Sequence, residues 1–91
     1  MATTLPTPGT ARPMSGVAYN EDNETIPLAA CYELTPPLRH DGRTDRYAMV
    51  TLGGIWGCDA LCRLLGSGHL LSKRHGTPAQ DLALLGYEAQ S

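Results

Sequence analysis

Four side chains that can bind zinc lie close together in the second half of the chain. Cys58, Cys62, His69 and His75 fall within 18 residues, in the pattern Cys-x3-Cys-x6-His-x5-His. Zinc in proteins takes four such ligands in a tetrahedron, often as two closely spaced pairs. The six residues between the pairs are fewer than in a zinc finger, and the first pair lacks the usual Cys-x2-Cys spacing. We therefore expect no cofactor, and zinc at these four residues is the alternative.

Other catalytic chemistry has little support in the sequence. Cys31 with His40 is the one further thiol–imidazole pair, and no third residue stands behind His40 to orient it. The sequence contains no Gly-x-Ser-x-Gly, phosphate-binding loop or His-Glu-x-x-His motif. Asp41 and Asp45 are explained as turn-forming residues. We predict that the protein is not an enzyme.

The composition argues against several classes of protein. The net charge is −2 and the seven Lys and Arg residues are scattered, whereas nucleic-acid binding usually requires clustered basic charge. No apolar run reaches the roughly 18 residues that span a bilayer, and the opening MATTLPTPG does not resemble a secretory signal. Three Cys, an odd number, are typical of reduced thiols. We expect a cytoplasmic or virion-associated protein that binds neither nucleic acid nor membrane.

The segments that must position these side chains are short and extended. Residues 28–34 and 46–52 alternate in polarity on either side of Asp41-Gly42, which predicts a hairpin with a polar tip. The prolines after Thr35 are expected to end the pairing of the first strand, because they have no N–H to donate. Residues 17–27 predict a turn between two short extended pieces.

The segment 58–65 fits two patterns. As a helix it places Cys58, Leu61, Cys62 and Leu65 on one face; as a strand it pairs through Gly66-Ser67-Gly68 with 69–74. The similar leucine runs on either side of this loop favour the hairpin of 59–65 with 69–74.

A short C-terminal helix is predicted after Thr77. Thr77 is the N-cap, Pro78 occupies the first helical position, and Gln80 completes a capping box. Gly86 suits a left-handed position after the helix, from which Tyr87 folds back. Leu84 points away from the sheet. The residues expected to pack on the sheet are Pro78, Ala79, Leu82 and Leu85.

Together these elements predict an α+β fold. We expect a small antiparallel sheet of about four strands, one C-terminal helix and an extended N-terminal arm. The arm comprises residues 1–25, which are rich in Pro and Thr and poor in large apolar groups, and residues 26–91 form a single α+β domain.

Three segments resemble a group of small proteins encoded by actinobacterial phages and prophages. These are Tyr32 to Pro37 (YELTPP), Tyr47 to Thr51 (YAMVT), and the helix ending Leu85-Gly86-Tyr87-Glu88. The resemblance covers residues 32–88 and implies a phage-type accessory protein. It also implies a strand over 59–65, although Cys58 to Leu65 departs from the pattern of that group.

These observations predict a non-catalytic interaction protein that binds a host protein. Its open sheet edges are sites for strand addition, and Leu84 and Trp56 are candidate partner contacts. A virion structural or accessory subunit, docked through the N-terminal arm, is one alternative. A small zinc-binding domain is the other.

Overall fold

The computed structural model describes residues 8–60 and 68–90. In chain order the elements are strands β1 (Gly9–Pro13), β2 (Val17–Tyr19) and β3 (Thr25–Pro27), a 3-10 helix (Leu28–Ala30), strands β4 (Cys31–His40), β5 (Arg43–Thr51), β6 (Gly54–Cys58) and β7 (His69–Lys73), helix α1 (Pro78–Leu84) and strand β8 (Tyr87–Ala89). No helix in these ranges is long and apolar enough to cross a membrane.

The main sheet has six strands in the order β7-β6-β5-β4-β1-β8. Neighbouring strands are antiparallel except β1 and β8, which run parallel. The α+β character of the fold is confirmed, whereas the expected number of about four strands is too low. Two strands that were not predicted, β1 and β8, lie beyond β4 at one edge of the sheet and are far apart in sequence.

Strand β1 corrects the prediction of an N-terminal arm over residues 1–25 at residues 9–13. Gly9–Pro13 lies inside the sheet between β4 and β8, and Ala11 is fully buried. The inward-facing residues of this strand are Gly9 and Ala11, which are too small to give a strand its usual apolar alternation. The segment therefore resembles a tail in sequence while forming an interior strand.

The hairpin of β4 and β5 confirms the predicted polar tip. Asp41 and Gly42 both have positive φ, 48° and 75°, as a two-residue type I′ turn requires. The first strand is longer than expected, because β4 continues through Thr35-Pro36-Pro37 with a register shift between Glu33 and Leu38. This continuation carries the strand to His40, directly opposite Arg43.

The predicted hairpin of 59–65 with 69–74 lies largely outside the described residues. Cys58 is the last residue of β6, and Asp59 and Ala60 belong to no strand. In the described ranges β7 pairs with β6, with Trp56 opposite Leu70 and Gly57 opposite His69. The partner of the HLLSK strand is therefore the GIWGC segment.

Helix α1 begins as predicted. Thr77 Oγ1 accepts a hydrogen bond from the Gln80 amide, and Gln80 Oε1 accepts one from the Thr77 amide. Leu82 is buried and Leu84 is exposed, as expected, but Ala79 is exposed, so the prediction that it packs on the sheet is wrong. Gly86 has positive φ, and the chain then enters β8.

Two apolar clusters lie on opposite faces of the main sheet. Successive residues of a strand face opposite ways, so Ala48 belongs to the cluster under α1 while Met49 packs against the other. The β2–β3 hairpin contributes Ile26 to the second cluster, which confirms the predicted turn within 17–27. The buried residues of the first cluster are Ala11, Leu34, Ala48, Ile55, Leu82 and Tyr87, and those of the second are Ile26, Leu28, Cys31 and Cys58.

Candidate metal centre

Two histidines converge on one buried aspartate at the polar end of the sheet. His40 Nε2 lies 3.1 Å and His69 Nε2 lies 3.0 Å from the same atom, Asp45 Oδ2. The two imidazole rings are 5.5 Å apart between centroids. Their ligand atoms and that of Asp45 all lie within 4.8 Å of one another. Within residues 8–60 and 68–90, no other group of three or more His, Cys, Asp or Glu side chains is this close together.

Three strands position these side chains. His40 ends β4, Asp45 lies two residues into β5 after Arg43, and His69 begins β7. Strand β6 lies between β5 and β7, so Asp45 and His69 are two inter-strand spacings apart, roughly 10 Å between backbones. The Asp45 carboxylate and the His69 ring meet by reaching toward each other across β6.

Gly57 of β6 leaves the space in which they meet. It is the residue opposite His69 in the β6–β7 ladder. A Cβ at this position would lie 3.1 Å from Asp45 Cγ and 2.5 Å from Leu71 Cδ1, which is too close for ordinary packing. The absence of a side chain at Gly57 therefore allows the carboxylate to lie over β6 beside His69.

The burial of Asp45 makes its partners important. The residue is 1% exposed, whereas the His69 and His40 side chains are 23% and 36% exposed. A buried carboxylate needs hydrogen-bond donors or a cation, because its desolvation costs several kcal/mol. The two imidazole N–H groups supply donors on one side, and the partly exposed rings leave an approach from solvent.

The three ligand atoms are close enough together to hold a divalent transition-metal ion. With zinc–ligand bonds of about 2.0–2.1 Å, adjacent ligands of a tetrahedron are separated by roughly 3.3 Å, close to the two measured Nε2–Oδ2 distances. Two imidazoles and one carboxylate are a donor set that suits zinc and iron(II). Metal binding would replace the proton on each Nε2 and move it to Nδ1 or to solvent.

The other ring nitrogen of His40 faces a second carboxylate. Its Nδ1 lies 3.8 Å from Asp41 Oδ2, which is beyond hydrogen-bond distance and within the range of an ion pair. A carboxylate that accepts a hydrogen bond from a metal-bound imidazole orients the ring and raises its basicity, and Asp41 is too distant to do so here. The turn that brings His40 to the site thus places a carboxylate near the ring without a hydrogen bond to it.

The zinc ligands expected from sequence are only partly brought together. His69 is in the cluster, while Cys58 is buried at the end of β6 and hydrogen-bonds with the Ala60 backbone. His75 is exposed beyond the other end of β7, and the strand alone separates His69 from Lys73 by roughly 13 Å. Cys62 lies outside the described residues, so the full set of Cys58, Cys62, His69 and His75 stays a prediction.

The second pair considered from sequence does not form. Cys31 begins and His40 ends the ten-residue strand β4, which separates them by roughly 30 Å. Burial, and secondarily the charge of Cys58, raises the pKa of the Cys31 thiol, the opposite of what a thiol nucleophile needs. His40 instead contacts Asp45, a residue that sequence reasoning assigned to the turn.

Comparison of the chain with family models, curated proteins and solved structures gives no match. Function is therefore inferred from the geometry of this cluster and its surroundings.

The cluster opens into a cleft of about 460 Å³. Asp45 and His69 form part of its wall, and the remaining lining residues are Gly42, Arg43, Thr44, Cys58 and Asp59. The candidate partner contacts from sequence lie elsewhere. Trp56 pairs with Met49 of the second apolar cluster, whereas Leu84 projects from the helix on the opposite face of the sheet.

Proposed function

We propose that this protein is a small metal-binding domain that holds one divalent transition-metal ion, zinc in the first instance. The ligands are His40 Nε2, Asp45 Oδ2 and His69 Nε2. The observation that carries the proposal is the convergence of two imidazoles, from different strands, on a single oxygen of a buried carboxylate.

This convergence favours a metal over a purely structural hydrogen-bond cluster. A carboxylate has two oxygens with about four acceptor positions, so two imidazole donors need not share one atom. Sharing Oδ2 brings all three ligand atoms within 4.8 Å of one another. Asp45 would cancel one of the two positive charges of the ion, and the histidines would bind as neutral ligands.

The test is zinc titration of protein prepared without a histidine tag and stripped with a chelator. We expect one zinc per chain, measured by competition with a chromophoric chelator. His69→Gln should weaken zinc binding by roughly 100-fold or more, since a lost ligand costs at least as much as a lost partner of a ligand. His75→Gln is the matched control, because His75 is an exposed histidine at the other end of β7.

The same variants separate the possible outcomes. Absence of stoichiometric zinc, or unchanged affinity in His69→Gln, would contradict the proposal and leave the cluster as a hydrogen-bonded network. Equal losses in His69→Gln and His75→Gln would favour the cysteine-containing set predicted from sequence. Metal analysis of protein purified without added metal distinguishes zinc from iron(II).

We also propose a protein partner, as the sequence predicts, and assign it to the β7 edge of the sheet. Two observations support this. In the described ranges β7 pairs with β6 alone, and Trp56 and Leu70, which face each other across that ladder, are 36% and 40% exposed. An open edge next to an apolar pair is suited to strand addition.

The partner of a phage-type protein would be a host protein or a neighbouring virion subunit. A photo-crosslinking residue at Trp56 should capture one defined partner, and the same residue at Leu84 serves as the control on the opposite face. Crosslinks in infected cells but not in purified particles would support the host protein, and the reverse result the virion. Deletion of N-terminal residues is not a usable test, because it removes β1 from the sheet.

A further inference from the structure

The candidate metal centre is buried on the side of Asp45 and partly exposed to solvent on the side of the two histidines. Asp45 is almost fully buried, whereas the His40 and His69 rings stay partly exposed, and His69 lines the cleft together with Asp45. Zinc sites with four protein ligands are closed, and sites with three keep a position for water or another ligand. A metal held by these three side chains would direct its remaining position toward the cleft.

Arg43 is the strand partner of His40 and also lines the cleft. It lies directly opposite His40 across the type I′ turn, and directly opposite residues have Cβ atoms about 4.5–5.5 Å apart on the same face. Its side chain lines the cleft. Among the described side chains, no carboxylate lies within ion-pair distance of its guanidinium.

The charges of the loaded site favour an anion. Zinc would bring two positive charges and Arg43 one, against one negative charge each on Asp45 and Asp59, the two acidic residues of the wall. Asp41, beside His40, is 95% exposed, so solvent and salt screen its charge. A net charge of about +1 therefore remains at the cleft, and the metal is its largest local component. Arginine binds carboxylates and phosphates through two parallel N–H···O bonds, a geometry that a lysine cannot provide.

We infer that the metal-loaded site binds a small oxyanion of the carboxylate or phosphate class. One oxygen of the anion ligates the metal at its open position, and another pairs with the Arg43 guanidinium. This inference rests on the proposed metal-binding function and adds to it the chemistry of the exogenous ligand.

Cobalt(II) substitution tests the two steps separately. Visible absorption of the cobalt protein reports metal binding at the site before any anion is added. Acetate and phosphate are then titrated in separate experiments, with sodium chloride at matched ionic strength as the reference. We expect both oxyanions to shift the spectrum with saturation, and phosphate to bind more tightly because of its greater charge.

Arg43→Gln should weaken oxyanion binding roughly tenfold or more, the usual effect of losing a charge-assisted hydrogen bond, without changing cobalt affinity to the same extent. Arg46→Gln is the matched control, because Arg46 is an exposed arginine of the same strand that does not line the cleft. A long-range effect of charge alone would lower binding equally in both variants and would overturn the role of Arg43.

The remaining outcomes are also decisive. No visible cobalt spectrum would overturn the metal proposal and the inference with it. A cobalt spectrum that acetate and phosphate leave unchanged would overturn the inference alone. A near-ultraviolet thiolate-to-cobalt band, lost in Cys58→Ser, would show that Cys58 closes the site and would likewise overturn it.

Discussion

Two aspartates of this protein are buried to nearly the same extent and are held in different ways. Asp45 is 1% exposed and Asp81 is 3% exposed. Asp81 Oδ1 accepts hydrogen bonds from the backbone amides of His75 and Gly76, at 3.1 and 3.2 Å. Asp45 instead accepts from two side chains, one five residues and the other 24 residues away in sequence.

The two sets of partners differ in whether they can lose a proton and bind a metal instead. A backbone amide cannot give up its proton to a metal or turn to another partner, so the contacts of Asp81 Oδ1 fix the loop before α1. The imidazoles of His40 and His69 can each lose a proton and become ligands. Burial of a carboxylate thus indicates a constraint, and the kind of donor indicates whether that constraint is structural or chemical.

The largest expected effect comes from removing the charge of Asp45. In the wild-type protein, free zinc at about 1,000 times its Kd should raise the free energy of unfolding by about 4 kcal/mol. Asp45→Asn should lose most of this increase, because an amide is a poor metal ligand. Asp81→Asn should retain it. Chemical denaturation with and without zinc measures the increment in each variant.

Equal stabilisation of Asp45→Asn and the wild type by zinc would contradict the role of Asp45 as a metal ligand. Loss of the zinc-dependent stabilisation in Asp81→Asn would contradict the difference between the two aspartates, since Asp81 would then be linked to the metal rather than to its own loop.

Asp81→Ala should give the next largest effect, this time on stability without metal. The substitution leaves the partly buried amides of His75 and Gly76 without their acceptor. An unsatisfied donor costs about 1–3 kcal/mol when it is fully buried, so the loss should lie near the lower end of that range. Glu88→Ala, at an exposed carboxylate of β8, should change the free energy of unfolding little. Equal destabilisation by the two variants would argue against a structural role for Asp81.

The helix start that follows the loop held by Asp81 belongs to the part of the fold that could be predicted from sequence. Thr77, Pro78 and Gln80 are close in sequence and interact with one another, so the helix start is encoded locally. The turn at Asp41-Gly42 is encoded in the same way. Strand β1 is different, because its two neighbours, β4 and β8, lie at distant points of the chain and its buried side chains are small.

The candidate site was missed for a similar reason. Asp45 and His69 are 24 residues apart and meet only because β6 pairs with β5 and β7 in a particular register. His40 was also hidden, because the two prolines suggested an early end to β4. The signal that was available is the turn itself, which places His40 and Asp45 on the two arms of one hairpin.

Gly57→Ala should weaken the metal site more than the fold. Its Cβ would press on the Asp45 carboxylate and on the end of the Leu71 side chain, and Leu71 can rotate away more easily. We expect zinc affinity to fall roughly tenfold, as when a group that positions a ligand is disturbed. Gly53→Ala is the control, since its nearest neighbour would be Thr51 Oγ1 at 3.9 Å. Equal zinc affinity in the two variants would contradict the role of Gly57.

The smallest expected effect concerns the pKa of Tyr87, which depends, beyond burial, on the charge of Asp45 and not on that of Asp81. Burial, and then the negative charge of Asp45, raises the pKa of Tyr87 above its usual 10.0. The folded protein therefore keeps this proton to higher pH than the unfolded chain does. The corresponding stability is present below about pH 10 and is lost as the pH rises further.

Removing the charge of Asp45 should weaken this alkaline dependence. In Asp45→Asn the pKa of Tyr87 should fall toward its usual value, so the free energy of unfolding should decline less steeply above about pH 10. Asp81→Asn should decline like the wild type, and Tyr87→Phe should lack this contribution. The raised pKa of Cys31 adds a loss of stability that begins near pH 9.0 in every variant, and this loss cancels when the variants are compared.

Denaturation from pH 8 to 11 measures the free energy of unfolding, and tyrosinate absorbance relative to Tyr87→Phe measures the pKa of Tyr87. Identical slopes in Asp45→Asn and Asp81→Asn would mean that the Asp45 charge does not act on Tyr87, since burial alone raises its pKa equally in both.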